Sequence, residues 1–121
     1  MDKMFDRLEA TLARYNELED LLASDEVIAN LDEYRKLSKE KSNIEEIVDK
    51  YNEFKRVEHD IADLEDLKHD SDPEMAEMAK MELEDVLPKK DLLKEENYAA
   101  ITELAKAYVR EVNDYMKKRK I

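Results

Sequence analysis

A chain of 121 residues is sized for one domain or one long helical assembly. Charged residues make up 45% of it, glycine is absent and there are two prolines, a composition that favours long helices and leaves few left-handed turns. The formal charge of −12, from 33 acidic against 21 basic residues, repels phosphate backbones and argues against generic nucleic-acid binding, while the lack of cysteine excludes disulfides and thiolate metal sites.

The first helix is expected from about Lys3 to Ala23, because Phe5, Leu8, Leu12, Tyr15, Leu18 and Leu22 recur at steps of three and four and form one apolar stripe. Ser24 and Asp25 interrupt it and can cap a short turn carrying Val27 and Ile28. Asn30 then reads as an N-cap with Glu33 three residues on. A second helix follows over about Leu31 to Lys68. Its stripe is Tyr34, Leu37, Ile44, Ile47, Tyr51, Phe54, Val57, Ile61, Leu64 and Leu67. Lys41 falls where an apolar residue would continue that pattern, and its stem can lie along the seam with the ammonium in water. A helix of that length spans roughly 57 Å and needs partners along most of it.

His69-Asp70-Ser71-Asp72-Pro73-Glu74 is the clearest break. Asp72 suits an N-cap, Pro73 the first helical position and Glu74 the positive end of the helix dipole. The third helix carries Met75, Met78, Ala79, Met81, Leu83 and Val86. The three methionines can fill a core or serve as an adaptable contact surface, and core filling is the expectation. Pro88 is expected to end or kink this helix. A last helix should restart near Asp91 and run to about Lys118, with Tyr98, Ile101, Ala105, Tyr108, Val112 and Tyr115 on one stripe. The basic cluster Lys117, Lys118, Arg119 and Lys120 suits a helix C-terminus. Short breaks between long helices imply antiparallel neighbours. The expected fold is all-α, an antiparallel bundle of three main helices plus a C-terminal helix.

Chemistry is hard to place in this sequence. Without glycine there is no phosphate-binding loop, dinucleotide fingerprint or nucleophile elbow. His59 and His69 are not at a helical ligand spacing, and Glu-x-x-His occurs only if read loosely and has no second copy, so neither a zinc nor a di-iron site is expected. Glu45–Glu46 and Glu95–Glu96 fall on polar faces, whereas catalytic carboxylates need a partly desolvated pocket. The Tyr98–Tyr108–Tyr115 series reads as helix-packing surface, since a base-stacking platform would be interleaved with basic residues. The expectation is a chain that is not an enzyme, with no catalytic, cofactor-binding or metal-binding residue and no cofactor. No signal peptide or membrane span is visible, which makes the cytoplasm the expected location.

Several segments carry a resemblance. Met4-Phe5-Asp6-Arg7-Leu8-Glu9-Ala10, Arg14-Tyr15 with Glu17-Leu18, and Leu21 to Val27 are similar to the start of the bacterial peptide chain release factor 1 family. Tyr34 to Glu40 and Tyr51 to Lys55 fit later segments, and Asp72-Pro73-Glu74-Met75-Ala76-Glu77-Met78-Ala79-Lys80 is the most specific. The resemblance covers about residues 4–86, the N-terminal helical domain of that family. The family continues through a Leu-Pro-Lys-Asp segment into its decoding and catalytic domains, whereas Leu87-Pro88-Lys89-Lys90 here comes early and leads into another heptad helix. In the family a Gly-Gly-Gln loop triggers peptidyl-tRNA hydrolysis and a proline-containing tripeptide reads the stop codon. A chain without glycine cannot form the first, and neither Pro73 nor Pro88 sits in the second.

The resemblance implies a non-catalytic helical domain of translation termination that docks on a protein of the ribosome near the large-subunit stalk base. On this reading residues 1–121 are one helical domain, with a release-factor-like region over 1–87 and a C-terminal helix of unrecognised origin over 88–121. The alternative is a coiled-coil adaptor or oligomerisation module with no ribosomal role. The C-terminal stripe has to be covered. Packing within the chain, and hence a monomer, is favoured over self-association because loop closure costs less than lost translational freedom.

Overall fold

The computed structural model describes residues 3–119, with side chains over residues 3–107. The fold is all-α, with no strand among the described residues. Its helices are α1 (Lys3–Leu22), α2 (Asp25–Ile28), α3 (Leu31–Leu67) and α4 (Pro73–Arg119).

Local chemistry sets the first three starts after α1. The Ser24 side chain accepts from the Val27 amide at 3.4 Å and caps α2. Asn30 Oδ1 accepts from the Glu33 amide at 3.2 Å at the head of α3. Asp72 Oδ1 accepts from the Glu74 amide at 3.0 Å, with Pro73 as the first residue of α4. Each cap satisfies an amide that has no partner inside its helix. α3 closes in a tightened turn, His69 N–H to Asp66 O at 3.1 Å and Asp70 N–H to Leu67 O at 3.0 Å. No described residue adopts a positive φ, so the chain reverses without the left-handed cap that glycine usually supplies.

The break expected at Pro88 does not occur. α4 runs from Pro73 to Arg119 with Pro88 inside it, so the expected third and fourth helices are one. The reason lies in the packing period. Ala79, Leu83, Leu93, Asn97 and Ile101 are buried, and Val86 and Leu104 are half-buried. They continue one stripe at heptad spacing from one side of the proline to the other. Pro88 is exposed, off that stripe, where the Glu84 carbonyl that loses its donor can turn to water. An interior proline costs about 3 kcal/mol of helix stability. Burial of a few large apolar side chains, about 1.5–3 kcal/mol each, offsets that.

The chain forms two compact units. One combines the described residues up to Val48 with those from Tyr98 onward. Its core holds Leu18, Val27, Leu37 and Ile44, with Tyr15, Leu21, Leu22 and Leu104 packed against them. Thus α4 brings Leu104 to the same cluster as α1, α2 and α3, and of the expected C-terminal stripe Ile101 is buried and Tyr98 exposed. Tyr108, Val112 and Tyr115, and the basic residues Lys117 to Lys120, lie outside the described side chains. Within this unit α1 and α3 run antiparallel: Tyr15 pairs with Glu45 and, one turn further along α1, Glu19 lies near Lys41, one turn back along α3. Lys41 behaves as its place in the stripe suggested, with its stem on the seam and its Nζ 5.3 Å from the Tyr15 ring centroid and 3.9 Å from Glu19.

The other unit, Asp49–Asn97, is an antiparallel hairpin of α3 and α4. Lys50 O accepts from Asn97 Nδ2 at 3.3 Å, and Lys90 Nζ lies 3.8 Å from Glu58. Tyr51, Phe54, Ile61, Ala79, Leu83 and Leu93 are buried here. Tyr51 and Phe54 therefore sit in the seam as their spacing indicated.

Candidate protein-contact surface

The residues considered for chemistry do not converge. His59 is exposed, with Nδ1 3.3 Å from Asp63 one turn on, and His69 is exposed in the α3–α4 connection. Glu45, Glu46 and Glu95 are exposed and Glu96 is half-buried. Among the described residues no three histidine or acidic side chains gather as metal ligands do. An open cleft of about 260 Å³ in the hairpin unit is lined by Asp60, Asp63, Leu64, Glu82 and Val86. Its polar lining is three carboxylates, of which Asp63 is the one beside His59.

Polar contacts in the first unit fix α1 on α3. Arg14 Nε reaches both carboxylate oxygens of Glu40 at 3.1–3.2 Å and its Nη2 reaches Oε2 at 2.7 Å, while Nη1 holds Glu17 at 2.9 Å. This fork geometry is the strong form of an ion pair, and the hydrogen bonds to Glu40 push the guanidinium pKa up. Partial burial, followed by the charges of Glu45 and Glu19, raises the Tyr15 hydroxyl above its ordinary value. These groups order the helices.

One side chain is placed against the usual rule. Asn97 is 0% exposed on the buried stripe of α4. Its Nδ2 donates to Leu93 O at 2.8 Å and to Lys50 O, whereas its buried Oδ1 has no partner. A polar residue at a core position of paired helices specifies register at a cost in stability.

The surface is where the methionines are. Core filling was the expectation for Met75, Met78 and Met81, and the structure overturns it: Met78 is 67% and Met81 62% exposed, and Met75 is also exposed. The buried positions of this helix are Ala79 and Leu83. The period was right and the phase wrong, because a Met-rich face outweighs an Ala–Leu face on apolar count alone. Helical spacing puts Met78, Met81, Pro88 and Leu92 (56% exposed) on the face of α4 opposite the stripe. A second exposed apolar group, Ile28 and Leu31 with Tyr34, lies at the α2–α3 corner. Tyr98 is exposed too, so the stripe runs through its neighbour Asn97. Leu92 and Leu31 were not singled out from sequence. Their signal was available as leucines off the main stripe.

No described helix is long and apolar enough to cross a membrane. No solved structure matches the chain. Among curated proteins the chain is similar to peptide chain release factor 1 of Lactiplantibacillus plantarum, 44% identical over 97 residues that make up 79% of this chain and 27% of that protein. It is also similar to peptide chain release factor 1 of Geobacter metallireducens, 47% identical over 83 residues, 69% of this chain and 23% of the relative. That of Enterococcus faecalis is 41% identical over 93 residues, 76% and 26%. The chain thus spans 23–27% of the length of these relatives. The PCRF domain model matches residues 11–114, continuing past residue 86 through Pro88 and along most of α4. With the match running through all four helices, the chain belongs to the PCRF domain family.

Proposed function

We propose that this chain is the non-catalytic helical domain of a translation termination factor, which docks on a protein of the large ribosomal subunit near the stalk base and works in the cytoplasm. The family match over residues 11–114 carries the reading. The physical character of the molecule supports it: an acidic helical surface favours basic protein partners over phosphate backbones, and the glycine-free sequence has no loop for peptidyl-tRNA hydrolysis. The domain's part is placement, holding a factor against the ribosome.

Two measurements test this. The chain should co-sediment with purified large subunits, and added salt should weaken binding as it screens the charges. On ribosomes stalled at a stop codon it should release no peptide above buffer background. Failure to bind ribosomes, or release of peptide, overturns the proposal. Concentration-dependent self-association in place of ribosome binding would favour an oligomerisation module.

A further inference from the structure

The outward face of α4 in the hairpin unit combines two features. It presents Met78, Met81, Pro88 and Leu92, a row of exposed apolar residues along one side of the helix. Methionine is flexible and polarisable, which suits a surface that must fit a partner's contour. The same face carries the exposed acids Glu77, Glu84, Asp85 and Glu95, and helical spacing sets them beside and between the apolar residues. On the far side of the helix the core is closed by Ala79, Leu83 and Leu93, so the strip is not needed for folding.

We propose that the α4 face formed by Met78, Met81, Pro88 and Leu92 is a docking surface for a basic amphipathic segment of a partner protein. The charge pattern selects the occupant. A second copy would set this acidic strip against another on a molecule of net charge −12, and like charges across an interface oppose association. A nucleic acid would be repelled by the same carboxylates. A helix with leucine-like residues on one face and lysine or arginine beside them fills the methionine strip and pairs with the acids that frame it. Pro88 adds apolar ring surface to the strip, next to the Glu84 carbonyl that it leaves without a helical donor.

Identification of that partner as ribosomal rests on the function proposed above, so the test has two arms. In the first, the isotope-labelled chain is titrated with a leucine–lysine amphipathic helical peptide and with a lysine–serine peptide of equal charge. Amide shifts should gather between residues 77 and 93 with the first peptide. The variant Met78→Ser/Met81→Ser/Leu92→Ser should bind it about tenfold more weakly while keeping its helicity and melting temperature. Shifts elsewhere, equal affinity in the variant, or equally tight binding of the lysine–serine peptide would overturn the surface. In the second arm the variant and wild type are sedimented with large ribosomal subunits. Loss of binding in the variant alone supports the surface as the ribosomal contact. Binding retained in the variant overturns that assignment and leaves the ribosomal reading standing. If the wild type does not bind subunits while the peptide shifts fall on residues 77–93, the ribosomal reading fails and the docking surface stands.

Discussion

The two prolines occupy opposite places in the fold. Pro73 follows Asp72, whose carboxylate caps the new helix, and it stands as the first residue of α4. Pro88 follows Leu87 and precedes two lysines, and α4 passes through it. What separates them is the fate of the neighbouring side chains. Around Pro73 nothing is buried from His69 to Met75, so local chemistry decides and the chain turns. Around Pro88 the stripe has buried residues on both sides at Leu83 and Leu93, so packing holds the helix through a residue that disfavours it. Proline breaks a helix where no tertiary contact opposes the break.

The comparison can be broken most directly by removing the packing. Leu83→Ala should cost about 2–5 kcal/mol, seen as a lower urea midpoint, with faster amide exchange between residues 84 and 92. A loss under about 1 kcal/mol would show that something other than burial carries the helix past the proline. The next largest effect has the opposite sign. Pro88→Ala should raise stability by about 2 kcal/mol, the interior-proline cost reduced by the extra freedom of the unfolded chain. A less stable variant would mean that the site needs the proline's geometry.

Asn97 sharpens the same point further along α4. Asn97→Leu removes an unpartnered buried oxygen and should stabilise by about 1–2 kcal/mol. A drop in the melting temperature would show that the bonds to Leu93 and Lys50 outweigh the burial cost. The smallest effect belongs to the local signal. Asp72→Ala should cost about 1 kcal/mol and delay the start of α4, measured by denaturation and by the amide shift of Glu74. Unchanged stability would mean that Pro73 alone sets the turn.

The caps were legible because each is a few residues long and uses a short-range bond: Ser24 to Val27, Asn30 to Glu33, Asp72 to Glu74. The seam of α3 was legible in the same way, since Leu37, Ile44, Tyr51, Phe54 and Ile61 are its strongest apolar series. Val48 and Met4 are buried although they lie beside the expected stripes, because a helix with neighbours on two sides buries a wider band. The candidate surface was half legible. Sequence marked the methionines as either core or contact surface, and only their exposure decided between the two.

The residues of this chain by themselves determined that it is helical, acidic and without glycine-loop chemistry, that three caps start α2, α3 and α4, and that its segments resemble release factors. Those are properties of composition, of bonds spanning a few residues, or of residue order. Tertiary structure alone decided that α4 continues through Pro88, that Asn97 rather than Tyr98 faces inward, and that Met78 and Met81 face outward. Each of these depends on which face of a long helix meets another helix, and helices with apolar residues on two faces settle that only by packing.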